Sequence, residues 1–377
     1  MGPLQGVRIV EMAGIGPGPF CAMLLADLGA EVVSIDRPGG GEMAGMPFTP
    51  QFDLFSRNKT RVALDLKNPA GFDIALKLIG AADILIEGFR PGVMEKLGLG
   101  PDALAAHNKR LVYGRMTGWG QTGPLAHSAG HDINYVALTG VLSTIGEAGG
   151  PPVIPLNLVG DFGGGSLYLA LGLLAAYIHA QRTGEGQVVD ASVVDGTASL
   201  STMLWALRGM GRWNGGRGEN MLDGGAPFYG IYETSDGGHM SVGPLEGKFY
   251  VEFLHKLGLD PDTIPNRADR AVWPELRALF TAQFKSKTRD QWATIFDGSD
   301  ACVAPILSLE EAAMHPHNQA RGTFETRHGA TQPAPAPRFS RTPGAIRFSA
   351  ADPQATATQS LMAWGLSDDD LAKLQTA

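Results

Sequence analysis

The 377-residue sequence predicts an α/β protein with two domains, the larger one built on a parallel sheet. Three observations carry that expectation. Short β-branched runs alternate with stretches of helical period over the first 200 residues, a glycine-rich tract interrupts the pattern at 209–225, and a strand pair followed by helices replaces it afterwards.

The elements read in order as follows. VRIVEM, with Val7, Ile9 and Val10, is a strand; FCAMLLADLGA has Phe20, Leu24, Leu25 and Leu28 at helical spacing with Gly29 as C-cap; EVVSIDRP is the next strand. RVALDL, PAGFDIALKLIGAA and DILIEGF form a second βαβ unit, and a helix at 101–107 leads to the strand RLVYGRM. A helix over 163–182 precedes TGEGQVVDASVVDGTASL, read as turn, strand and helix. Such alternation implies a Rossmann-like sheet covered on both faces, with ligands at the carboxyl ends of the strands, after Met12, Ile35, Leu66, Glu87 and Met116. Further on, FYGIYET and HMSVGP pair through the turn SDGG, and helices follow near 247–257, 273–285 and 289–296. The expected division is a large domain over 1–200, a linker over 201–225, a small α+β domain over 226–325, and a C-terminal segment over 326–377 that returns to the large domain. Its proline-rich tract QPAPAPRFSRTP, 332–343, is expected to be extended.

Composition narrows the function. A net charge of −8 argues against a general nucleic-acid binder, which needs a basic surface to displace counterions. Cys21 and Cys302 lie far apart, and no basic, apolar leader is found over the first 15 residues, so a reducing, cytoplasmic setting is expected. The apolar run 167–178 is shorter than the ~20 residues that span a bilayer, so no membrane segment is expected. No metal is expected either: His315 and His317 have no acidic or thiol companion at ligand spacing. The GIGPGP loop is a poor dinucleotide fingerprint, because Pro17 and Pro19 remove donors that a phosphate cradle uses.

Several clusters carry chemistry. Arg37, Arg57, Lys59, Arg61, Lys67 and Arg90 gather near early strand ends, which suits a ligand with several phosphates as well as it suits solvated surface charge. His131 and Asp132 in GHDINY, and Asp161 in NLVGDFGGGS, each taken singly read as helix-cap features. Taken together at helix starts they form a base, an acid and an oxyanion donor. Glu246 opens a helix of the small domain, where a plain dipole partner is expected. Met203, Met210, Met221 and Met240 read first as core and second as an adaptable acyl wall.

The strings GVRIVEMAGIGPGPFCAMLLADLGAEV, LIEGFRPGVMEKLGLGP, RMTGWGQTGP, AGHDINYVALTG, NLVGDFGGGS, GEGQVVDASVVDG, NMLDGGAPFY and PAPAPRFSRTP run over nearly the whole chain. In them the sequence resembles the family III CoA-transferases, on the branch of racemases acting on 2-methylacyl-CoA thioesters. The resemblance implies two bases, His131 and Asp161, flanking the α-carbon of the substrate, with an enolate between them. It also implies Glu246 as a partner of the histidine, reaching the site from the other subunit of an interlocked homodimer; the enolate oxygen needs a donor, and the backbone N–H of Asp132, at a helix start, is the candidate. CoA is part of the substrate, no metal or redox cofactor takes part, and Arg37, Arg57, Leu64, Asp65, Leu66, Lys67, Gly88, Phe89, Arg90, Lys96, Gly130 and Tyr135 are the residues expected to hold it. The alternative is an acyl-CoA:carboxylate CoA-transferase with Asp161 as nucleophile; a histidine facing the carboxylate favours the racemase. The segments LSTIGEAGGPPVIP and AGMPFTPQFDLFSRNKT depart from the family's pattern.

Overall fold

β1 (Arg8–Met12), β2 (Glu31–Asp36), β3 (Lys59–Ala63), β4 (Ile84–Glu87), β5 (Val112–Thr117) and β6 (Val188–Ser192) form one six-stranded sheet in the order β3-β2-β1-β4-β5-β6. Every neighbouring pair is parallel. The chain adds strands to one side of β1, then crosses to the other, so the order reverses between β1 and β4; such reversals open a crevice at the carboxyl edge. These are observations on a computed structural model that describes residues 2–39, 42, 43, 46, 47, 49–352 and 355–374; part of AGMPFTPQFDLFSRNKT lies outside the described residues.

Alternation along the strands builds a core on each face. Val10, Val33, Ile35 and Leu85 pack with Ile74, Leu78 and Ile79 of α2 (Pro69–Gly80), after α1 (Pro17–Asp27) has covered the opposite face. There Ile9, Val32, Ile84 and Val112 meet Cys21, Ala22 and Leu25 of α1. Each fully buried Leu or Ile contributes about 1.5–3 kcal/mol. The helix at Pro101–His107 is α3, and α4 (Asp132–Leu138), α5 (Leu167–Thr183) and α6 (Val193–Leu200) follow.

The helix expected over 163–182 is longer and irregular. Residues Leu158–Ser166 form a π-helical stretch that runs straight into α5, giving a 26-residue helix from Leu158 to Thr183. By length and composition this helix is apolar enough to cross a membrane, which the run 167–178 alone is not. Its buried residues Leu169, Leu173, Ala176 and Ala180 belong to the core under the sheet.

Contacts divide the chain into two compact units, one of residues 1–139, 156–200 and 316–377, the other of 140–155 and 201–315. In the second, β7 (Gly230–Glu233), β8 (His239–Val242) and β9 (Val303–Pro305) form an antiparallel sheet in the order β9-β8-β7. The hairpin is the one that SDGG predicts; β9 is new, a three-residue strand ending in Pro305 that carries no alternation to read. Phe253 of α7 (Gly247–Leu257), Phe280 and Phe284 of α8 (Trp273–Phe284) and Trp292 of α9 (Arg289–Phe296) make an aromatic core. The tract expected to be a linker clusters with this unit, where the Asp223 carboxylate accepts the backbone N–H groups of Gly218, Asn220 and Gly225. Of the four methionines only Met240 is buried in the core; Met203, Met210 and Met221 are exposed.

The returning C-terminal segment belongs to the first unit from residue 316 onward, ten residues earlier than the sequence division. Asn58 Nδ2 donates to Ala345 O at 2.9 Å, and Arg347 reaches Ala26 O and Ala30 O at 3.1 and 3.0 Å. The Ala345 N–H also donates to Asp27 O at 3.0 Å, so the segment following the extended tract is tied to the end of α1.

Candidate active site

Asp161 lies inside the π-helical stretch and is no N-cap. The Phe162 N–H donates to Asn157 O, five residues back, at 3.2 Å, and such widened turns recur at functional sites. The glycines after Asp161 allow close packing: a methyl at Gly164 would sit 2.4 Å from Thr197 Oγ1 of α6. The ring of Phe162 packs on Phe20, with centroids 4.6 Å apart, and both meet Phe55.

His131, and not Asp132, is the N-cap of α4; its own backbone N–H donates to Asn134 Oδ1 at 3.1 Å and its side chain is exposed. Asp132 is the first helical residue and is buried. Its Oδ1 accepts the Asp161 N–H at 2.7 Å, and the Gly160 N–H also donates to this carboxylate. One residue thus ties the His131 end of α4 to the Asp161 turn.

Electrostatics follow from that arrangement. Burial raises the Asp161 pKa, the neighbouring Asp132 charge raises it further, and a hydrogen bond from Asn157 and the charge of His131 hold it back, leaving it at about 6. Asp132 is also raised, by burial, against the N–H bonds from Asp161 and Gly160. Tyr135 is pushed up by burial and then by the Asp161 charge, with Arg90 opposing. Its hydroxyl donates to Gly130 O, and Trp119 meets its ring edge-on at 4.7 Å. Arg90, Gly130 and Tyr135 therefore gather on the Asp161 side.

A cavity of about 460 Å³ opens at the carboxyl ends of β1, β2 and β3. Its wall includes the run Met12–Gly16, and Gly16, at φ 74°, comes close enough to Asp161 that an added methyl would lie 3.3 Å from Oδ2. Arg37, Leu64, Asp65, Leu66, Lys67 and Phe89 line this cavity. Arg37 and Lys67 are exposed at its edge. The loop carrying Phe89 is fixed by Glu87, whose Oε2 accepts the Phe89 N–H at 2.7 Å while Oε1 accepts Arg115 Nε at 3.0 Å.

Other expected contacts fall elsewhere. Gly88 and Lys96 do not belong to the cavity wall. Arg57 is buried and spent on structure: its Nε and Nη2 grip Asp27, and Nη1 donates to Gln332 Oε1 and Pro333 O at 2.9 Å. An arginine so enclosed meets no ligand. Lys59 lies in the wall but its Nζ pairs with Glu11 Oε2 at 2.8 Å, and Arg61 pairs with Asp53 at 3.2 Å. Glu246 is the exposed N-cap of α7 in the second unit. Sequence reasoning missed Phe55 and Ser56, which line the cavity from short 3-10 turns without a periodic signal.

The chain matches known proteins over almost its full length. The model of CoA-transferase family III covers residues 4–357. α-Methylacyl-CoA racemase of Mus musculus is 46% identical over 99% of this chain and 96% of its own. That of Homo sapiens is 48% identical over 92% and 88% respectively. Among solved structures, a CAIB/BAIF family protein from Brucella suis superposes with a TM-score of 0.81 at 26% identity, covering 96% of this chain and 99% of its own.

Proposed function

The chain belongs to CoA-transferase family III, and from that premise we infer an isomerase, a racemase that interconverts (R)- and (S)-2-methylacyl-CoA thioesters. The observation that carries the inference within the family is a histidine and a carboxyl group joined through one anchor, Asp132, with the carboxyl holding its proton up to about pH 6.

Inverting carbon 2 requires taking its hydrogen from one face and returning one to the other. His131 takes the proton of one enantiomer while protonated Asp161 delivers a proton to the planar enolate; the other enantiomer reverses the roles. A carboxyl of ordinary acidity is almost fully ionised at neutral pH, whereas one raised to about 6 retains a usable protonated fraction and remains a base of moderate strength. The backbone N–H of Asp132, at the start of α4, is the donor proposed for the enolate oxygen, a contact that contributes roughly 3–4 kcal/mol when well aimed. Arg37 and Lys67 serve the CoA phosphates, and binding of that remote handle positions the α-carbon. Glu246 is proposed to come from a second copy of the chain, as partner to His131. The scheme draws on no metal and no redox cofactor, and the setting proposed is cytoplasmic.

Incubation of a single-enantiomer 2-methylacyl-CoA in deuterated water tests the reading. Loss of optical purity with uptake of one α-deuterium, without any acceptor acid, is expected. His131→Ala and Asp161→Ala should each abolish nearly all of it. Acyl exchange that requires a carboxylate acceptor, or ordinary racemisation by either variant, defeats the two-base scheme.

A further inference from the structure

We propose that the Asp132 side chain is a positioning residue, a negatively charged clamp that holds the Asp161 turn against the His131 end of α4. This rests on the racemase reading and adds to it a role distinct from that of the Asp132 backbone N–H.

The geometry is specific. Asp132 Oδ1 accepts the Asp161 N–H at 2.7 Å, and the Gly160 backbone lies so near that a methyl there would come within 2.2 Å of the same oxygen. Asp132 as a whole residue is only 9% exposed, and no lysine or arginine pairs with its carboxylate among the described residues. Burying a charge without a counterion is unfavourable, while an asparagine oxygen would accept the same backbone bonds with no charge to bury. The bonds alone therefore do not account for an aspartate; a second negative charge beside Asp161 does.

Other groups around Asp161 do not supply that charge. His131 opposes it. Tyr135 is held neutral by burial, and Arg90 acts on Tyr135 from the same side. Of the packed elements, α1 carries only Asp27, which is bound to Arg57, and α6 carries only Asp195, which is exposed. On β5 and β6, Arg115 is taken by Glu87 and Glu95, while Asp190 accepts the Gln121 N–H. On α5 the charged residue is Arg182, in the last turn far along the helix. Burial raises the Asp161 pKa most, and Asp132 is the acidic neighbour that adds to it.

The test follows deuterium uptake by (R)-2-methylhexanoyl-CoA as a function of pH in the full-length protein and in Asp132→Asn and Asp132→Ala. Asp132→Asn keeps the acceptor and removes the buried charge, so the limb assigned to Asp161 should move down by about one pH unit with no loss of melting temperature. Asp132→Ala also loses the clamp and should lose at least about tenfold in rate. A wild-type profile in Asp132→Asn overturns the proposal. Carboxyl-carbon NMR of the unmutated protein decides it without variants: Asp161 should take its proton at higher pH than Asp132, and the opposite order overturns it. If His131→Ala and Asp161→Ala retain exchange, the racemase reading itself has failed; if they lose it while Asp132→Asn titrates as wild type, only the clamp has.

Discussion

Lys59 Nζ sits 2.8 Å from Glu11 Oε2 in the wall of the cavity, with both side chains almost wholly removed from solvent, and it also donates to Pro19 O at 2.9 Å. The pair joins the outermost strand β3 to the central strand β1 and holds the first turn of α1. Removing one partner strands a buried charge. Lys59→Met is therefore expected to destabilise the first unit by about 3–5 kcal/mol, and pairing it with Glu11→Leu should recover much of the loss. Chemical denaturation of wild type and the two variants checks this; equal stability of the single variant and wild type would contradict it.

Arg57 and Arg37 both flank early strands but should behave oppositely. Arg57→Lys replaces a planar fork that grips Asp27 and reaches Gln332 with a point charge that can satisfy only part of the set. Limited proteolysis of the 333–347 tract should accelerate several-fold, with thioester affinity unchanged once the protein is folded. Arg37→Ala should leave proteolysis alone and raise KM about tenfold with kcat preserved, because its contact is uniform between ground and transition states.

The raised Asp161 pKa has a stability consequence with a definite sign. A carboxyl at about 6 in the folded chain, against an ordinary 3.8, binds its proton more tightly when folded. Its stabilising effect is complete below pH 3.8 and is lost as pH rises through 6. Asp161→Asn should thus melt higher than wild type at neutral pH, by an amount equivalent to about 1–2 kcal/mol after allowance for partial solvent screening, and match it in acid. The same variant should be nearly inactive. Melting curves across that window test the sign, and a variant less stable at neutral pH than in acid, relative to wild type, would refute it.

The large sheet was legible because both of its faces are covered: short apolar segments such as Ile84–Ile86 in DILIEGF and Ile9–Val10 in VRIVEM stand between helical repeats, and the local pattern is enough to identify them. His131 and Asp161 were legible as residue types in distinctive strings. The local shape around Asp161 was not, since a π-helical stretch leaves no periodic mark and three glycines look the same in a cap, a loop or a close helix contact. Arg57 illustrates a different limit. Its fate depends on Gln332, 275 residues away in sequence, and nothing in SRNKTR distinguishes an arginine facing solvent from one enclosed by partners the fold brings later. Lys59 was misjudged for the same reason, with Glu11 as the distant partner.

The first unit is assembled from three separate stretches, with the second unit intervening before residue 316. During synthesis the sheet strands are complete once Ser192 has emerged, yet Arg57 must wait for Gln332 and α1 for Arg347. The nascent protein therefore carries an unfinished flank for more than a hundred residues of elongation, while the stretch 201–315 has most of what it needs from its own neighbours. Ribosome-bound chains halted before residue 332 should present α1 to chaperones and proteases, and release of the last segment is the event that closes it.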